Sequence, residues 1–334
     1  MSAASQEVCI VTGGAGFIGS HMVDFLLAQG YEVRAIDNLV GGRLSNVEHH
    51  KNNSSFTLDE RDIRLLKPDD SLFQDVKYVF HFAGIGDIVP SIERPLEYMS
   101  TNVQGTVHVL EAARHHGAKK VVYAASSSCY GLAKELPTTE TAPIQPEYPY
   151  ALSKYQGEQA VFHWGKVYKL PVCSIRMFNV YGPRSRTTGA YGAVFGVFLA
   201  QKLANQPLTI VGDGSQTRDF VFVTDVARAF YQVAASHHSN EVYNLGANKP
   251  QSVAYLAELL GGEREFIPKR PGEPDCTWAD IKKITDHVGW QPKVSFEEGV
   301  QEMLKNISYW KDAPVWDKQK IQQATATWFN YLDS

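Results

Sequence analysis

The stretch Val8-Cys9-Ile10-Val11-Thr12-Gly13-Gly14-Ala15-Gly16-Phe17-Ile18-Gly19 decides the fold of this 334-residue chain. A β-branched run closes at Thr12, glycines stand at 13, 16 and 19, and the apolar pattern turns helical from Gly16 to Gln29. In that order each glycine has a task. Gly13 allows the tight turn, Gly16 lets the backbone approach a pyrophosphate, and Gly19 lets helix and strand pack closely. A phosphate would sit at the helix N-terminus, beside Phe17 and Ile18. Alone, such a triplet marks no more than a tight βα turn. Here the second β-branched run, Glu32 to Asp37, ends on a carboxylate 18 residues beyond Gly19, close to the offset of roughly twenty at which an acidic side chain meets a ribose 2′-hydroxyl. The two signals together favour a dinucleotide site. The charge of Asp37 would repel the 2′-phosphate of NADP and accept a hydrogen bond from the ribose of NAD, so NAD is the expected cofactor; Arg43 is the nearby group that could compensate.

Outward from this motif, Tyr78 to Phe82, Lys120 to Ser126 and Pro171 to Phe178 read as further strands, with helices over Leu96 to His116 and Tyr150 to Lys169. Gly30 and Gly117 follow helical runs as C-terminal caps. Continuous rather than alternating apolar strands are those of a parallel sheet covered on both faces. The fold class predicted is α/β, a doubly wound parallel sheet of Rossmann type. After about residue 180 glycine and proline become frequent and strands brief, Glu241 to Leu245 being one of them. The expected division is 1–180 for the NAD-binding domain with its catalytic residues and 181–334 for a smaller substrate-binding lobe, partly interleaved with the first.

Composition narrows the partners. Lys and Arg number 32 against 36 Asp and Glu, a formal charge of -4, which gives no field for a polyanion, so nucleic acid is not an expected partner. Cys9, Cys129, Cys173 and Cys276 are isolated, without metal-ligand spacing, and read as reduced thiols; no metal is expected, and the paired histidines at 49, 115 and 237 read as solvated. Met1 to Val8 has no leader pattern and no apolar stretch reaches membrane-spanning length, so a cytoplasmic protein is expected.

Tyr150 and Lys154 stand four apart, on one face of the predicted helix. An ammonium beside the phenol, helped by a positive nicotinamide ring, stabilises phenolate and brings the tyrosine toward the range of a general base. Such pairs occur on many helices, but here the strand 121–125 runs into Ser126-Ser127-Ser128-Cys129-Tyr130-Gly131, a hydroxyl cluster at the carboxyl end of a parallel strand, where open α/β sheets bind ligands.

Taken together, these features make the chain resemble the extended short-chain dehydrogenase/reductase family, specifically the NAD-dependent nucleotide-sugar epimerases and dehydratases. The motifs that carry the resemblance run from Val8 to about Tyr309: TGGAGFIGSH from Thr12, DN at Asp37, HFAG from His81, NVQGT from Asn102, AASSSCYG from Ala124, YALSK from Tyr150, FNVYGPR from Phe178 and GDGSQTRDFVFVTD from Gly212. The resemblance implies Ser126, Tyr150 and Lys154 as the catalytic set. It implies Asn38, Asp62 and Ile63 near the adenosine, and Phe82, Ala83, Gly84, Asn102 and Phe178 along the cofactor. Tyr150 as phenolate would take a sugar hydroxyl proton while hydride leaves the same carbon for NAD, Lys154 would hold the ribose and the phenolate charge, and Ser126 would bond the reacting oxygen. In the second lobe it implies Asn179, Arg218 and Arg270 toward a UDP diphosphate and Glu273 toward the uridine ribose.

Within that family, dehydratases and decarboxylases carry a glutamate two positions after the serine; here those positions are Ser127 and Ser128, so a 4-epimerase is expected, acting through a transient 4-keto sugar. Gly86 departs from the galactose-type members, which often place lysine there. Thr277 occupies the position bordering the sugar's C2 substituent, and Gly189 to Val194 resembles the GAYxAV stretch of N-acetyl-preferring members. UDP-N-acetylglucosamine and UDP-N-acetylgalactosamine are therefore the expected substrates, alongside UDP-glucose and UDP-galactose. UDP-glucuronate as substrate for epimerisation or decarboxylation, a 4,6-dehydratase, and a non-catalytic dinucleotide sensor are the alternatives. The resemblance also implies a homodimer through the two long helices.

Overall fold

The strand expected at the start of the chain forms as β1 (Val8–Thr12), all five residues buried. The computed structural model describes residues 6–185, 187, 194–269 and 273–332. Gly13 turns with φ of +69°, and a Cβ on Gly19 would stand 2.0 Å from the Gly13 carbonyl oxygen, so α1 (Phe17–Ala28) starts this close to the strand only because glycine is there. The first half continues as β2 (Glu32–Ile36), β3 (Phe56–Asp59), β4 (Val76–His81), α2 (Ile88–Glu93), α3 (Pro95–Met99), α4 (Gly105–His115), β5 (Lys120–Ser126), α5 (Pro149–Tyr168) and β6 (Val172–Met177). Helix α5 begins on Pro149, whose missing N–H costs nothing at a first helical position. The helix expected over 96–116 is present with one difference: a wide π-type turn at Ser100–Gln104 joins α3 to α4. Such turns often accompany functional sites, and this one carries Asn102.

The second half comprises β7 (Asn179–Tyr181), α6 (Val194–Leu203), β8 (Leu208–Val211), β9 (Thr217–Arg218), β10 (Phe220–Phe222), α7 (Val223–Ala235), β11 (Glu241–Leu245), β12 (Gln251–Ser252), α8 (Val253–Leu260), β13 (Arg264–Ile267), α9 (Lys282–Val288), α10 (Phe296–Lys305) and α11 (Lys318–Leu332). Seven strands form one sheet in the order β3-β2-β1-β4-β5-β6-β11, every neighbouring pair parallel. Helices bury apolar stripes on both faces: Met22, Val23 and Leu26 of α1 share a core with Phe230 and Val233 of α7, while Val109, Leu110 and Val161 of α4 and α5 fill the other side. The doubly wound α/β fold is thus the one formed.

Beyond residue 180 the chain serves two bodies. Strand β11 and helix α7 go to the large sheet, whereas β7, α6, β8, β10, α8 and α10 gather around a second core. That core is aromatic: Tyr181 stacks on Phe195 with ring centroids 4.6 Å apart, and Phe220 on Phe296 at 5.2 Å. No helix among the described residues is long and apolar enough to cross a membrane.

Candidate active site

Strand order reverses between β1 and β4, and the crevice outside the carboxyl ends of such strands is where an open α/β sheet takes its ligand. Two cavities open there, of about 530 and about 490 Å³. Tyr150 lines both.

The first cavity gathers most of the expected cofactor residues: Gly13, Gly16, Phe17, Ile18, Gly19, Asp37, Asn38, Asp62, Ile63, Phe82, Ala83, Gly84 and Lys154 all line it. Asp37 is buried, and burial raises its carboxyl above the ordinary range. Its Oδ2 accepts from Ala15 N at 3.0 Å and its Oδ1 from Leu39 N at 2.8 Å, which aims it from the end of β2 across the glycine turn. Asn38 Nδ2 donates to Asp62 Oδ2 at 2.8 Å, and the Arg64 guanidinium, also bonded to Asp62, holds that carboxyl down at about 2. Arg43 lines the same cavity, its guanidinium bonded to Thr187 and lying over the Tyr309 ring. A glycine cradle that no Cβ could enter, facing a carboxylate at the end of the second strand, fits NAD.

Two expected cofactor residues stand elsewhere. Asn102 is buried and does not reach the cavity: its amide accepts Ile85 N–H at 2.8 Å and donates to Ile85 O at 3.0 Å and Ser153 Oγ at 2.9 Å. It pins the loop after β4 to α5. Phe178 lines the second cavity instead, because the bond from its N–H to Leu245 O ties this segment to β11.

His81 carries a role the sequence reading assigned to no side chain. Thr106 donates to Asn102 O at 2.7 Å, so its oxygen accepts from His81 Nε2 at 2.9 Å. His81 Nδ1 therefore accepts from Thr12 Oγ1 at 2.6 Å, and Thr12 in turn accepts from Ala83 N. Burial pushes the imidazole down to about 3, which keeps it neutral and this chain of bonds intact. The HFAG motif was visible; its partners, 25 and 69 residues away, were not.

Lys154 is buried on α5, with its carbonyl accepting from Tyr123 Oη at 3.2 Å and its ammonium 4.5 Å from the centroid of the Tyr123 ring. Burial lowers it to about 8, against the upward pull of Glu158. Glu158 itself is locked to Arg176 at 2.6 Å and to Ser174 at 2.7 Å.

Ser126, Ser127 and Ser128 line the second cavity, where β5 ends. Ser126 donates to Ser128 Oγ at 3.0 Å and accepts from Ser128 N at 3.2 Å. The Tyr150 ring is stacked on Tyr148 and met edge-on by Tyr98, with centroids 6.4 and 6.3 Å away. Asn179, Arg218, Glu273 and Thr277 line this cavity too. Arg218 is bonded to Glu273 at 2.8 Å, whereas its sequence neighbour Asp219 accepts from the backbone of Ala247, Asn248 and Ala279. Thr277 donates to Asn179 Oδ1 at 2.8 Å and accepts from Asp219 N at 3.2 Å, so it gives the pocket a small wall rather than a hydrogen-bond donor. Arg270 and residues 189–193 of the GAYxAV stretch lie outside the described residues. Elsewhere, His49 and His50 both bond Asp24 Oδ1, at 2.8 and 2.7 Å, but Arg184 already neutralises that carboxylate.

The model of the NAD dependent epimerase/dehydratase family matches residues 9–246. This chain belongs to that family. Family membership makes NAD its cofactor. Among relatives, a putative UDP-glucose 4-epimerase of Methanocaldococcus jannaschii is 38% identical over 303 residues, 88% of this chain and 96% of that protein. Among solved structures, the UDP-glucuronic acid 4-epimerase of Bacillus cereus, in complex with UDP-glucuronic acid and NAD, is 32% identical with a TM-score of 0.83, covering 90% of this epimerase/dehydratase-family chain and 99% of its own. The UDP-N-acetylglucosamine 4-epimerase of Methanobrevibacter ruminantium M1, in complex with UDP-N-acetylmuramic acid, is 30% identical with a TM-score of 0.86, covering 92% and 99%.

Proposed function

We propose that this family member is a UDP-sugar 4-epimerase acting on UDP-N-acetylglucosamine and UDP-N-acetylgalactosamine, with UDP-glucose and UDP-galactose also accepted. The observation that carries the reading is Tyr150 at the junction of the two cavities with Ser128, a hydroxyl, two positions after Ser126. Tyr150 as phenolate takes the proton of the sugar's C4 hydroxyl and later returns it. Lys154 sets a positive charge beside the cofactor cavity, and Ser126 donates to the C4 oxygen by giving up its bond to Ser128. Bound NAD supplies the acceptor, and then the donor, of the C4 hydride. Because both faces of the keto sugar must meet the same ring, the hexose is held loosely and the nucleotide firmly. Asn179, Arg218 and Arg270 are assigned to the diphosphate, Arg being suited to forked contacts with phosphate, and Glu273 to the uridine ribose. Thr277, in place of a bulky side chain, leaves room for an acetamido group.

A second reading has its own observation: Glu147, which lines the second cavity with Asp87 and Glu273, would serve as the carboxylate for an elimination or decarboxylation. A proton NMR time course with UDP-N-acetylglucosamine, UDP-glucose and UDP-glucuronate decides between them. A new epimer from UDP-N-acetylglucosamine supports the proposal and one from UDP-glucuronate alone overturns its substrate assignment; a 4-keto-6-deoxy sugar or a pentose supports the second reading; no change from any substrate, with NAD bound, overturns both. We also infer a homodimer through α4 and α5, to be checked by light scattering in solution.

A further inference from the structure

We propose that helix α11 is a working part of the substrate site: Ile321 forms an apolar wall of the second cavity, and α11, seated on α2, holds the segment 86–88 against Tyr150. The inference rests on the epimerase reading and adds a determinant of sugar binding to it.

The motif resemblance ends near Tyr309. The solved relatives are covered to 99% of their length while leaving about a tenth of this chain unmatched, so this chain carries material beyond the shared architecture. Helix α11 is mostly polar, but Ile321 and Ala324, three apart, fall on one stripe. Ile321 is 4% exposed and lines the second cavity. Ala324 and Trp316 pack against buried Val89 of α2, and Trp316 also packs against the aromatic core of the second body.

Polar contacts hold the chain just before the helix and in the helix's second half. The Trp316 carbonyl accepts from Gln201 Nε2 at 2.6 Å, and that amide also bonds Thr209, which lines the cavity from β8. Farther along, Thr327 donates to Glu93 Oε1 at 3.1 Å at the far end of α2. The strap thus runs from the second body to the large sheet's α2, over the cleft between them.

What it presses on is the neighbourhood of the phenol. A Cβ added at Gly86 would lie 3.9 Å from the Tyr150 ring, and Gly86, Asp87 and Ile88 line the cavity. Asp87 has φ of +101°, a conformation a non-glycine residue keeps only where its surroundings impose it. Helix α11 supplies part of that constraint through Val89. An apolar wall at the hexose end would exclude water and accept the methyl of an acetamido group more readily than a carboxylate.

The test compares the parent protein with Ile321→Leu, Ile321→Ala and Ile321→Glu, measuring UDP and UDP-N-acetylglucosamine binding by calorimetry, turnover by NMR, and thermal midpoints. The expected result is a rise in KM and in the UDP-N-acetylglucosamine dissociation constant of roughly tenfold for Ile321→Ala and more for Ile321→Glu, with UDP binding unchanged and Ile321→Leu close to the parent. Equal weakening of UDP and UDP-sugar, or parental KM in Ile321→Glu, overturns the proposal. If the parent binds UDP-sugar without epimerising it, the epimerase reading fails, while the binding comparison still judges the wall.

Discussion

The Lys154 ammonium stands over the Tyr123 ring, 4.5 Å from its centroid, buried inside the sheet domain with burial lowering it to about 8. Below that pH the folded protein carries a desolvated charge that the unfolded chain keeps in water. Between about 8 and 10.5 the folded form has released the proton while the unfolded chain still holds it, so stability rises with pH across that window. Lys154→Met should therefore lose turnover yet melt higher than the parent at pH 7, by up to about 3 kcal/mol. The gap should narrow from pH 8 to 10.5 in parallel calorimetric scans.

Tyr150→Phe removes the proposed proton acceptor and leaves the ring stacked on Tyr148. Turnover should fall by about 10²–10⁴-fold, with UDP-sugar binding and NAD content preserved. Full activity in this variant, read by NMR, would remove the phenol from the chemistry.

Asp37→Ser deletes the charge proposed to face the NAD ribose and leaves Arg43 in the same cavity. The purified variant should carry a larger share of NADP relative to NAD, measured by chromatography of the nucleotide released on heating. An unchanged ratio would mean that selectivity is set elsewhere.

Thr277→Tyr should reduce kcat/KM for UDP-N-acetylglucosamine by at least tenfold more than for UDP-glucose, since a ring would fill the space beside Asn179. Equal losses on both sugars would count against a C2-side role.

His81→Phe leaves Thr12 and Thr106 without their shared partner in a buried site. Urea unfolding should show a loss of about 2–4 kcal/mol, together with weaker NAD retention as the 82–85 loop loosens.

Much of the large sheet was legible because continuous β-branched runs and a glycine-marked turn are local signals. Strand β3 was not: Phe56–Asp59 is a four-residue edge strand with no buried run. The site residues that line the first cavity were legible wherever a motif fixes backbone shape, as at Gly13, Gly19 and Asp37. Asn102 shows the limit. Its motif marked it as important, but its amide bonds to Ile85 and Ser153, 17 and 51 residues away, make it a brace for the loop. The pairing of Arg218 with Glu273, 55 residues apart, was equally beyond a local reading. Helix α11 lacked any motif, so only its seat on Val89 reveals what it touches.

Strand β11 pairs with β6 along its whole length, yet residues 178–240, much of the second body, lie between them in the chain. During synthesis on the ribosome, the outer N–H and C=O groups of β6 therefore stay without their β11 partners until Leu245 has emerged, an interval in which another nascent copy could pair with them. Placing the closing strand so late ties completion of the large sheet to the synthesis of the segment in between, so slowed translation across residues 178–240 lengthens the time that this edge stands open.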